Sequence, residues 1–180
     1  MIKKAMKKIF KPTTGYAAFY QPYLDLVPND GLLTKHLTDI MIETETLVSK
    51  LSEEKLLYRY STGKWTIKDI LVHLADCERI LVYRAMRMAR NDQTELPGFD
   101  ENLFAIHANA NIRQADDILK ELKAFRAASL IFIETLDDKA LDRSGTANGY
   151  PMSARLLVNH IYGHHRHHLN IIYTKYLTVD

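Results

Sequence analysis

Residues 66–90 read TIKDILVHLADCERILVYRAMRMAR, and their apolar positions recur three and four apart: Ile67, Ile70, Leu71, Leu74 and Leu81. That period is helical, because residues at those offsets stack on one face of a 3.6-residue turn. The start is equally well marked. Thr66 and Asp69 match the Ser/Thr-x-x-Asp/Glu pattern of a capping box, and Trp65 and Ile70 can close a hydrophobic staple around it.

The same pattern appears in three more segments, roughly Asp30 to Leu51, Ile112 to Leu136 and Ser153 to Tyr176. In the first of these, Leu33, Leu37, Ile40 and Leu47 share a face behind the turn-like Pro28-Asn29-Asp30. Pro97-Gly98 and polar neighbours make a loop after Arg90, with Asn111 placed to cap the helix that follows. A longer connection around Gly145, Asn148-Gly149 and Pro151 precedes Ser153, which caps the last helix. No strand alternation and no internal domain boundary are apparent. The chain therefore reads as all-α: a four-helix bundle with at least one long crossover connection, in a single domain spanning residues 1–180.

Composition narrows the class further. The 180 residues are 47% hydrophobic and 26% charged, ordinary for a soluble domain with a sizeable core. Twenty-four Lys plus Arg against 22 Asp plus Glu leave a net charge of +2, too little to imply a nucleic-acid or membrane surface. Arg79, Arg84, Arg87 and Arg90 read as partners for nearby acids. Residues 1–20 form a basic arm, whose Lys3, Lys4, Lys7 and Lys8 are read as solvated, because no apolar run follows to make a signal peptide. A lone Cys77 rules out an intrachain disulfide and fits a reducing cytoplasm.

The chemistry concentrates in the last helix. NHIYGHHRHHLNII, residues 159–172, holds His160, His164, His165, His167 and His168, five of the chain's eight histidines. At ~100° per residue, His164 and His168 lie ~40° apart and one turn above each other, so both rings can reach one ion. Leu157, Ile161, Ile171 and Ile172 scatter around the same direction, which puts the pair on the core-facing stripe. His165 and His167 point to either side and read as flanking, solvated positions. A catalytic zinc-type site takes three protein ligands and keeps a position open, so another helix must supply one more. His36 and His107 are isolated. His73 lies in the second helix, but on a shoulder roughly 90° from its apolar stripe at ~100° per residue. Cys77, four residues on, is its rival.

GKWTIKDILVHLADCERILVYRAMRMARNDQTELPGFDEN (63–102) and GHHRHHLNIIYTKYL (163–177) resemble the DinB/YfiT-like superfamily, in its branch with a KWS-like helix start and a GHxxHH ending. The resemblance runs from Tyr23 to Tyr176 and leaves out only the lysine-rich start. It implies a four-helix bundle in which one histidine of the second helix and two of the last bind a divalent metal. Carried over by position, these are His73, His164 and His168, with His160 as the alternative ligand if the pairing shifts by one turn. The resemblance also implies acids after the first histidine, matched by Asp76 and Glu78. Asp76 is a candidate to orient a ligand or shuttle a proton, and Glu78 is read as a salt-bridged or solvated position.

Such a site suits zinc or nickel foremost, with iron, cobalt or manganese also accommodated. The expected function is that of a metal-dependent enzyme, transferase-like or hydrolase-like, activating a low-molecular-weight thiol cosubstrate or water for attack on an electrophilic small molecule. The alternative is a non-catalytic, metal-binding or dimerising stress-response bundle. A small-molecule substrate and a homodimer are expected, with no nucleic acid and no membrane.

Overall fold

The computed structural model describes residues 7–178. Four long helices, α2 (Leu33–Val48), α4 (Ile67–Ala89), α6 (Ala115–Thr135) and α8 (Ala154–Ile171), form a bundle. A short helix α1 (Gln21–Asp25) precedes the bundle, and α3 (Glu53–Leu57), α5 (Glu101–His107) and α7 (Asp138–Asp142) lie in the connections. The long helices coincide with the four periodic segments.

Thr66 starts α4 as its sequence announces: its hydroxyl accepts from the Asp69 amide at 3.0 Å, and the Asp69 carboxylate accepts from the Thr66 amide at 2.9 Å. Ser153 caps α8 by accepting from the Leu156 amide. Asn111 does not cap α6. Gln114 occupies that position without a side-chain bond, while Asn111 sits in a preceding 3-10 turn and bridges to Thr66 and Asp69 at 2.7 and 2.9 Å. A tertiary partner for its amide outcompeted the local cap.

Both α4 and α2 pack against α6 and α8, so α2 and α4 occupy opposite corners. The connection from α2 to α4, through α3, therefore crosses the bundle, and so does the one from α6 to α8. The crossover expected from long connections occurs twice. The second carries a feature the sequence reading lacks, an antiparallel hairpin of β1 (Ser144–Ala147) and β2 (Tyr150–Ser153). Asn148 and Gly149 turn it with φ of 53° and 74°, the positive pair a two-residue hairpin loop requires. Four-residue strands are too short to show alternation.

The N-terminal arm is corrected in part. Residues 1–6 lie outside the described residues, but Ile9 is 2% exposed and pairs with Leu32. Lys11 donates to the carbonyls of Leu24 and Val27. Ile9 donates its amide to the Gly31 carbonyl at 2.9 Å and joins the hydrophobic core, so this stretch packs rather than solvates.

One close approach ties the arm-side helix to the histidine helix. Gly163 of α8 faces the backbone of Tyr23, and a Cβ there would stand 2.2 Å from the Tyr23 carbonyl oxygen. Gly163→Ala should therefore destabilise the fold by about 2 kcal/mol despite its better helix propensity, because rigid backbone must move. Thermal denaturation checks this; an unchanged or raised midpoint would contradict the packing.

Candidate metal centre

His73 projects from α4 and His164 and His168 from α8, and their rings meet where these helices pack. The His164 Nε2 atom lies 3.0 Å from Nε2 of His73 and 3.1 Å from Nε2 of His168. His73 and His164 are buried and His168 is partly exposed. The shoulder position expected of His73 is no obstacle, because α4 packs on α8 along one side and α6 along the other, widening its buried arc.

A divalent ion fits this donor set. A neutral Nε2 has either one proton or one lone pair, so His164 cannot satisfy both neighbours by hydrogen bonding. One proton or one lone pair aligns with a single neighbour, so at least one of the two close contacts is left without a well-directed hydrogen bond. A cation between the three lone pairs removes that conflict, and Zn–N bonds of ~2.0–2.1 Å in tetrahedral geometry place nitrogens ~3.3 Å apart. Burial supplies the neutral imidazoles that ligation requires: it pushes His73 down to about 4 and His164 and His168 well below their ordinary value. The positive charge of neighbouring rings adds to the effect at His164.

Cys77 borders the same point, with Sγ 3.5 Å from His73 Nδ1 and 3.6 Å from His73 Nε2. His73, Cys77 and His164 present donor atoms within 4.8 Å of one another and could together hold a metal. Burial raises the Cys77 thiol, which favours its protonated form. His160 stands one turn before His164, with ring centroids 5.7 Å apart, and packs edge-on against Tyr20 and Tyr23. Its Nδ1 has no partner among the described residues, and it stands apart from the close Nε2 contacts.

The remaining candidates are placed elsewhere. Asp76 pairs with Arg79 at 3.1 Å and makes no hydrogen bond to the three imidazoles. Its carboxyl is raised mainly by burial, with Arg79 opposing. His36 bonds Asp30, and His107 ends α5 at the surface. His167 is a flank residue against Tyr23.

His165 is a correction: it is 1% exposed, not solvated. Thr44 gives its hydroxyl proton to the Ile40 carbonyl, so His165 Nε2–H donates to Thr44 Oγ1 at 2.8 Å. Nδ1 then accepts from Arg126 Nη2 at 3.1 Å, which assigns the neutral tautomer. Arg126 in turn grips both carboxylate oxygens of Glu78 at 2.8 Å. The ring faces α2 and α6, a side the sequence reading took for solvent.

Aromatic walls flank the centre. Trp65, held through its carbonyl by Tyr176 Oη at 2.6 Å, lies against His73 with ring centroids 4.6 Å apart. Tyr23 lies 6.0 Å from His164 on the same measure. One cavity of about 200 Å³ reaches His164 and Cys77, and another of about 210 Å³ reaches His168 and Trp65.

Five histidines, three of them buried and His160 and His168 half-buried, make stability pH-dependent. His73 and His160 are lowered to about 4 from 6.5, and His164, His165 and His168 are lowered too, chiefly by burial. The unfolded chain takes up protons near pH 6.5 that the fold refuses, so stability is full above that value and lost as pH falls toward 4. The denaturant midpoint of chelated protein should drop steeply across this window; a flat profile would contradict the burial of these rings.

A crossed four-helix bundle with imidazoles from two of its helices converging inside defines the class. The chain belongs to the DinB superfamily, whose family model matches residues 41–172. It is 27% identical over 125 residues to an Oceanobacillus iheyensis protein named "Putative metal-dependent hydrolase OB0413", covering 68% of this chain and 70% of the relative. Among solved structures, it is similar to YfiT from Bacillus subtilis, described as a probable metal-dependent hydrolase with an unusual four-helix bundle topology. There the TM-score is 0.69 at 16% identity, covering 92% of this chain and 90% of YfiT. The mycothiol-dependent maleylpyruvate isomerase shares the fold at a TM-score of 0.53 and 15% identity, covering 82% of this chain and 59% of that one. No helix among the described residues is long and apolar enough to cross a membrane.

Proposed function

We propose that this chain is a metal-dependent enzyme in which His73, His164 and His168 hold one divalent ion and a small thiol or water is activated for attack on an electrophilic small molecule. The observation that carries this reading is the approach of the three Nε2 atoms, at 3.0 and 3.1 Å around His164. Held by neutral ligands, the ion keeps its double charge and lowers the pKa of a bound water or thiol. The names of the Oceanobacillus relative and of YfiT support the hydrolase form.

The protein's own contribution is placement. Trp65 and Tyr23 wall the centre, limit water and fix the approach of reactants. Cavities at both His164 and His168 support a two-reactant reaction, one compartment for the nucleophile's carrier and one for the electrophile. The isomerase that shares the fold uses a low-molecular-weight thiol by its name, which supports the thiol form.

The test is turnover of chromogenic aryl esters, and of a chlorodinitroarene with added thiols, by zinc- or nickel-loaded protein. Activity should vanish with chelator, return with metal, and be absent in His168→Ala. Turnover indifferent to chelator and to that substitution would overturn the reading. A closed sphere completed by Cys77 would favour the non-catalytic alternative.

A further inference from the structure

Arg84 of α4 is 7% exposed, yet no carboxylate lies within ion-pair distance of it among the described residues. Its neighbours on the same helix are paired: Arg79 with Asp76 and Glu121, and Arg87 with Asp92. A guanidinium has five N–H donors, and among the described residues one bond is made here, from Nη2 to the Pro97 carbonyl at 2.6 Å. The Phe99 ring lies 5.9 Å from its carbon. Burial costs this cation much of its hydration without supplying an anion.

The unspent donors face a compartment that leads to the metal centre. Arg84 lines the cavity of about 200 Å³ together with Tyr20, Tyr23, Phe99, Cys77 and His164. Glu101 also lines it, and its negative charge limits how much anionic charge the compartment accepts. One buried guanidinium, aromatic walls and an opposing acid fit a singly charged, planar carboxylate with an apolar body.

We propose that Arg84 is the anion-binding residue of this cavity and that the electrophilic substrate is a small carboxylic acid, held by its carboxylate at Arg84 with its reacting end toward His164. The substrate assignment rests on the proposed metal-dependent function; the binding of the carboxylate does not.

Benzoate is the probe and benzamide its neutral isostere, titrated calorimetrically into zinc-loaded protein and again into chelated protein, where no ion can attract the carboxylate. Benzoate should bind both forms more tightly than benzamide, and Arg84→Gln should weaken it at least ~tenfold, the scale of a charge-assisted pair, while leaving benzamide unchanged. Equal benzoate affinity in wild type and R84Q, or equal affinity for benzoate and benzamide, would overturn the proposal. Should R84Q fail to melt cooperatively, the Arg84 Nε–H resonance of the wild-type protein decides: displacement by benzoate supports the site and an unmoved resonance overturns it. Failure to retain zinc would overturn the metal-dependent function and leave the chelated-protein result standing.

Discussion

Replacing His164 with alanine should abolish tight metal binding, weakening it by at least ~100-fold, since loss of a partner outside the ligand set already costs about 10–100-fold. His164 is the middle member of the cluster, with its Nε2 at 3.0 Å from one neighbour and 3.1 Å from the other. Its removal leaves His73 and His168 on different helices without the donor between them. His160→Ala is the matched control: His160 packs against Tyr20 and Tyr23 and stands outside the close Nε2 contacts. It should change affinity only a few-fold. Competition against a chromophoric chelator measures both, and loss in His160→Ala with retention in His168→Ala would move the site one turn toward the start of α8.

Glu78→Ala should be the most destabilising of the single substitutions considered. Glu78 and Arg126 have side chains 2% and 3% exposed and meet through paired oxygens and nitrogens. Removing the acid leaves a buried guanidinium uncompensated, which costs about 3–5 kcal/mol. At about 2–4 °C per kcal/mol for a chain of this size, the melting midpoint should fall by roughly 6–20 °C. Because Arg126 also donates to His165, which adjoins His164 in the chain, metal affinity should weaken as well. The double variant Glu78→Leu with Arg126→Met should recover most of the lost stability, since no charge is then left buried. A Glu78→Ala midpoint within a degree or two of wild type would contradict the buried pair.

The bundle was legible from periodicity because each long helix buries a stripe at helical spacing, and Thr66 and Ser153 cap their helices through side chains that local sequence specifies. Asn111 shows the limit of such signals, since its amide found partners on another helix. The approach of His164 to His168 follows from a four-residue offset. That of His73 does not, because it depends on which helix faces which, and the diagonal placement of α2 and α4 leaves no trace in spacing. His165 departs from its expected place for the same reason: in a helix packed on several sides, a flank of the main stripe is still interior. Arg126 falls in the row Ile118, Leu122, Arg126, Ser129, Ile133, a charge on a core-facing stripe, which calls for a buried acid in reply.

X-ray absorption at the metal edge of zinc-loaded, untagged protein bears most directly on the three-histidine centre. The expected spectrum shows one ion per chain with three imidazole nitrogens at ~2.0–2.1 Å and a light, exchangeable atom completing the sphere. Fewer than three imidazoles, or a sulfur at ~2.3 Å from Cys77 closing the fourth position, would contradict it.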